Sequence, residues 1–149
     1  MDASSQRHHI GQLLVQTTRQ FQTELFRRLQ EAGLEGIRLP HTHVSAYIKT
    51  DGSRLTDLAR DARMTVPAML ELVDDLERLG YAERRPDPVD RRAKLVTITD
   101  RGWTAMRTAR EVIADLEAEY AGAVGKRRWD EFTATFATLL EHLDSEAAS

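Results

Sequence analysis

The sequence predicts a mainly α-helical chain interrupted once by a small β-hairpin. Three observations predict it. Apolar residues recur at three- and four-residue spacing through most of the 149 residues, the period of helices with one buried face. At Tyr81 that period gives way to two strand-like runs separated by Pro-Asp-Pro-Val-Asp, a turn composition. Glycine, proline and threonine stand where the helical runs begin and end.

The elements follow in order. Ile10, Leu13, Leu14, Phe21, Leu25 and Leu29 share one face of a long first helix that Gly33 ends. Pro40 suits the first turn of a second helix carrying Val44, Tyr47 and Ile48, stopped at Asp51-Gly52. A short third helix fits residues 56–63, with Thr56 as N-cap and Leu58 and Ala62 inward. Thr65 caps a fourth helix with Pro67 in its first turn, where the missing N–H costs nothing. Met69, Leu72, Val73, Leu76 and Leu79 form its apolar stripe, and Gly80 terminates it. Residues 81–85 and 94–99 read as the two strands. Thr99 or Asp100 caps a fifth helix bearing Trp103, Met106, Ile113, Leu116 and Tyr120, with Gly122 and Gly125 breaking the pattern. Trp129, Phe132, Phe136, Leu139, Leu140 and Leu143 mark a sixth.

Three short helices followed by a hairpin, with only Met64 and Thr65 between the second and third of them, is the order of a winged helix-turn-helix. Residues 40–100 suffice for that module within a single unit of residues 1–149. The predicted fold is therefore a winged helix-turn-helix core flanked by helices at both ends. Residues 8–33 and 101–145 carry Trp103, Tyr120, Trp129 and Phe136, more apolar bulk than one small domain covers. They are expected to form a dimerisation region against a second copy.

Composition narrows the function. With 41% hydrophobic and 30% charged residues the chain is of globular type. No apolar run approaches the roughly 18 residues of a membrane span, and MDASSQRHHIG has no secretory apolar core, so a cytoplasmic protein without membrane contact is expected. The absence of cysteine excludes disulfides and thiolate chemistry. The net charge is −3, yet residues 84–110 hold eight cations, Arg84, Arg85, Arg91, Arg92, Lys94, Arg101, Arg107 and Arg110, against Asp87, Asp90 and Asp100. Arg91 and Arg92 fall at the hairpin tip, where no core explains them. A solvated turn pairing them with Asp87 and Asp90 is the plain alternative. Next to a helix-turn-helix they read as a DNA-contacting wing, with Arg84, Arg85 and Lys94 beside them and Asp90 bracing the turn.

The fourth helix holds Glu71, Asp74, Asp75 and Glu77 against Arg78 alone. Its base contacts are therefore expected from its N-terminal end: Thr65, Val66, Pro67, Ala68 and Glu71. Small apolar groups there can meet thymine methyls, and Glu71 can accept from a cytosine amine. The acidic helix keeps open a second reading, a winged-helix protein that binds a protein partner or a small molecule without specific DNA binding.

Residues 55–102 resemble the core of the MarR (multiple antibiotic resistance regulator) family. Val73, Leu76, Glu77, Gly80 and Tyr81 match its helix ending, Asp87, Pro88, Asp90 and Arg92 its wing pattern, and Thr99 and Gly102 the motif that follows, with Ile98 in place of leucine. The resemblance implies a homodimer joined through its terminal helices and bound to a near-palindromic DNA operator. It implies a transcription regulator, usually a repressor, often released by a small aromatic molecule. The family's wing arginine carries over to Arg92, with Arg91 beside it, and its wing aspartate to Asp90. Leu70 and Glu71 stand where many members have a hydroxyl and a basic residue, and Pro67 takes a place often polar.

Phe21, Tyr47 and Trp103 are candidate lining for an effector pocket, although aromatics at helical spacing more often form core. His41 and His43 read as a hydrogen-bonded pair at a helix start rather than a metal site, and His8 and His9 as a solvated end. No cofactor is expected. No phosphate loop or catalytic triad order stands out, so no enzyme is expected.

Overall fold

The computed structural model describes residues 9–147. Its elements are α1 (Ile10–Glu31), a single 3-10 turn (Leu39–His41), α2 (Thr42–Tyr47), α3 (Leu55–Asp61), α4 (Val66–Arg78), β1 (Ala82–Pro86), β2 (Lys94–Ile98), α5 (Asp100–Val124) and α6 (Lys126–Ala147). The chain divides into two compact units, one through Arg110 and the other from Glu111 onward.

In the first unit α2, α3 and α4 enclose a core of Val44, Leu58, Met69, Leu72, Val73 and Leu76, closed by Tyr81, Ala82 and Val96 from the hairpin. The turn of the helix-turn-helix is longer than the sequence suggested. α3 ends at Asp61, and Arg63 takes a left-handed φ of 54° before Thr65 opens α4. Thr65 caps α4 as expected, its Oγ1 accepting from the Ala68 N–H at 3.3 Å. Thr56 does not cap α3. Helix α3 begins at Leu55 after an extended Arg54, because Ser53 is already pinned to Val96 of β2 by backbone bonds of 2.8 and 3.0 Å. That bridge adds a short third edge to the two-stranded antiparallel sheet, which pairs Ala82 with Ile98 and Pro86 with Lys94.

Gly80, at φ 80°, turns the chain out of α4 into β1. Thr99 ties the two ends of the module together. Its hydroxyl donates to the Gly80 carbonyl at 2.7 Å and accepts from the Gly102 N–H at 3.1 Å. A β-carbon on Gly102 would stand 2.1 Å from the Tyr81 carbonyl oxygen, so only glycine lets α5 start this close to β1.

The second unit is a helical hairpin. Gly122 lies inside α5, and the reversal comes at Gly125, with φ 94°. One glycine in a long helix costs only about 1 kcal/mol and does not end it. Tyr120, Trp129, Phe132 and Phe136 form a chain of ring contacts at 5.6 to 5.8 Å between centroids. Along α6, Phe132, Phe136, Leu139, Leu140 and Leu143 are nonetheless exposed on one stripe. The first turns of α1 are similarly exposed at Ile10, Leu13, Leu14 and Val15. His8 lies outside the described residues. No helix among the described residues is long and apolar enough to cross a membrane.

Candidate nucleic-acid interface

The wing is the loop of residues 87–93 between β1 and β2, and two aspartates hold it. Asp87 is buried at the base of the loop. Its Oδ1 accepts from the Val89 N–H at 2.9 Å, and its Oδ2 takes the Arg54 fork, Nη2 at 2.7 Å and Nε at 3.1 Å. The Val89 amide first, and the Arg54 guanidinium with it, hold the Asp87 carboxyl below the usual carboxylate range. Asp90 is exposed. It accepts from the Arg92 N–H at 3.1 Å and lies 3.9 Å from Arg54. The sequence reading gave the bracing role to Asp90 alone. In the structure Asp90 orders the tip, while the Arg54–Asp87 pair anchors the whole loop to the segment before α3. The signal for Asp87 was present in its Pro-Asp-Pro setting, but its partner stands 33 positions away.

Arg91, Arg92 and Lys94 are exposed, and among the described residues no ion pair engages them. Val89, beside them at the tip, is also fully solvent-facing. Arg84 and Arg85 differ. The sequence reading set both among the cations offered outward, yet each has an acidic neighbour. Arg85 pairs with Glu83 at 2.5 Å. Arg84, only 22% exposed, reaches back to α4, with Nη2 2.7 Å from Asp74 Oδ1 and Nη1 bonded to Glu77. The reversal at Gly80 lays β1 beside the second half of α4 and so puts this guanidinium between the two carboxylates.

The acidity of α4 is thereby largely neutralised. Asp75 is bonded to Arg78 and to Arg38, which hold its pKa at about 2, Arg78 contributing most. Of the four carboxylates on α4 only Glu71 is left without an ion pair among the described residues. The outward face of the first turns carries Thr65, Val66, Pro67, Leu70 and Glu71, with Ala68 half-buried beside them. Arg63, in the turn just before, is exposed and makes no ion pair among the described residues. Sequence reasoning passed over it, although a cation two residues before a helix cap was a usable signal.

The histidine pair separates. His43 is exposed, whereas His41 is buried at 3% exposure with Nδ1 accepting from the Arg38 N–H at 3.0 Å. Its Nε2 faces Asp75 Oδ2 at 3.4 Å. Burial lowers the His41 pKa below its ordinary value and outweighs the opposing pull of Asp75. Of the candidate pocket residues, Phe21 and Trp103 are half-buried and Tyr47 is exposed.

No family model matches the chain. It is 25% identical over 134 residues to an uncharacterised helix-turn-helix transcriptional regulator, YdcH of Bacillus subtilis, covering 89% of this chain and 90% of that one. Solved structures share the fold. A mutant of MepR from Staphylococcus aureus superposes with a TM-score of 0.71 at 19% identity, over 91% of this chain and 99% of that one. The repressor CouR, solved bound to a 23-mer DNA duplex, gives 0.70 at 18% identity, over 94% and 98%. A MarR family transcription regulator, SP03579, gives 0.66 at 18% identity, over 92% of each. The resemblance to the MarR family carried by the wing motif is thus matched by the fold.

Proposed function

We propose that this chain is a homodimeric transcription regulator of the MarR type that binds double-stranded DNA sequence-specifically. In this reading α4 enters the major groove while Arg91, Arg92 and Lys94 of the wing meet phosphates and the adjoining minor groove. The observation that carries it is the combination of three unpaired wing cations with a loop held by Asp87, Arg54 and Asp90. Cations are free to meet phosphate only where no internal carboxylate claims them, and their placement is useful only where the loop is ordered. The motive for the second reading, an acidic recognition helix, weakens because Asp74, Asp75 and Glu77 are all ion-paired.

The exposed stripe of α6 and the exposed start of α1 support dimerisation, since apolar side chains that are contiguous on a helix face, rather than scattered singly, mark an interaction surface. A two-fold dimer places its recognition helices about 34 Å apart for adjacent half-sites of a near-palindromic operator. Repression relieved by a small aromatic ligand, with Phe21, Tyr47 and Trp103 as its contacts, completes the proposal.

Gel shift against the DNA upstream of its own gene tests the reading. A retarded band whose affinity falls steeply with salt is expected, and Arg92→Ala should reduce the log–log salt slope by about 0.9 per wing, about 1.8 for the dimer. A folded dimer that retards no duplex at low salt would refute it.

A further inference from the structure

The outward face of α4 has an unusual chemistry for a helix that enters a major groove. Val66 is 41% exposed and Leu70 39%, one turn apart and therefore on the same side. Pro67 and Glu71 are exposed beside them. These apolar side chains are not turned toward the core, which takes Met69, Leu72, Val73 and Leu76 instead. Before Arg78, α4 contains no arginine, lysine, asparagine or glutamine, and Arg78 is bonded to Asp75 at 2.8 Å. The helix therefore lacks the forked donors that read guanine O6 and N7 and the amides that read adenine. The Thr65 hydroxyl accepts from the Ala68 N–H at 3.3 Å, which leaves its O–H to donate to a phosphate at the helix start.

On the DNA-binding reading above, we propose that α4 selects its operator by thymine methyl groups: Val66, Pro67 and Leu70 form a contact face for the C5-methyls of a thymine-rich half-site. Glu71 is the single polar reader, accepting from the N4 amine of a cytosine. A duplex is the occupant this face fits. The three free cations of the wing and Arg63 ahead of the helix supply the charge complement to phosphate, and Glu71 is the one α4 carboxylate outside an ion pair among the described residues. In such a helix discrimination comes from apolar burial and one acceptor, so the preferred half-site is poor in guanine on the strand α4 reads.

The test begins with duplexes selected from a random pool by the full-length chain. The tightest is resynthesised with deoxyuridine replacing each half-site thymine in turn, which removes only the methyl. Each contacted thymine should then bind about fourfold more weakly, from about 0.8 kcal/mol per buried methyl at 1.4 kcal/mol per tenfold. Leu70→Ala and Val66→Ala, both surface changes, should each abolish the thymine–uracil difference at one position and leave the salt slope unchanged. Glu71→Gln should shift one position from cytosine toward adenine, since an amide can pair with adenine N6 and N7. Uracil duplexes that bind as tightly as thymine duplexes at every position would overturn the proposal. So would a discrimination that survives in both alanine variants. A pool that enriches no duplex at low salt removes the DNA-binding reading itself, and this one with it.

Discussion

Arg84 offers the sharpest test of how the module is held together. Replacing it with glutamine removes a guanidinium that is 22% exposed and bonded to both Asp74 and Glu77, themselves 57% and 29% exposed. A charge-assisted hydrogen bond contributes about 1.5–3 kcal/mol when sheltered. Exposure of Asp74 discounts its share toward that of a surface pair. Arg84→Gln should therefore cost about 2 kcal/mol, or about 4–8 °C in the melting midpoint of a chain this size. It also leaves two uncompensated carboxylates on α4, with a repulsion toward phosphate on the order of 1 kcal/mol, about fivefold in affinity. Because Arg84 itself releases no counterion, the salt slope of DNA binding should stay that of the wild type, unlike that of Arg92→Ala. Adding Asp74→Asn and Glu77→Gln should restore most of the lost affinity. The assays are thermal unfolding and equilibrium binding at several salt concentrations. A slope lowered by about 1.8, one contact per protomer, with unchanged stability would make Arg84 a phosphate contact and refute the reasoning.

Two further outcomes are expected. His41 has a folded pKa below its ordinary value of 6.5, so below that value the unfolded chain takes up the proton more readily than the folded one. Its contribution to stability is complete above about pH 6.5 and declines as pH falls toward the folded pKa, by at most about 1.4 kcal/mol per unit. Urea midpoints between about pH 7.5 and 5.5 should show this decline, and His41→Asn, which keeps an acceptor for the Arg38 amide, should flatten it; an unchanged profile would count against the assignment. Leu140→Glu, on the exposed stripe of α6, should convert a dimer to a monomer by light scattering at micromolar concentration, and a wild type of single-chain mass would remove the basis for dimerisation.

Most of the helices were legible because their signals are local. Thr65, Pro67 and Gly80 lie within a turn of the ends they define, and the stripe from Met69 to Leu76 reports its own buried face. Of the boundaries that went astray, the start of α3 was set by a distant residue and the end of α5 by the helix's own hydrogen bonds. Thr56 has the side chain of a cap, but Ser53, bridged to Val96, starts α3 earlier. Gly122 has the composition of a break, yet the hydrogen bonds around it carry the helix on to Val124.

The same division runs through the interface. The succession of elements, the turn chemistry of the wing, the cations at its tip and the absence of guanine-reading donors from α4 before Arg78 are all legible in the sequence, since each depends only on residue type and short spacing. Which charges remain available depends instead on how the chain is folded in space. Arg84 and Arg92 are equivalent in a charge count, but the reversal at Gly80 holds one half-buried between Asp74 and Glu77 and leaves the other in solvent. Asp87 and Asp90 differ for the same reason: Arg54, 33 residues before Asp87, reaches that carboxylate at 2.7 Å and the other at only 3.9 Å. Coulomb interaction acts through space, and the distances that weight it are set by where the chain turns back on itself.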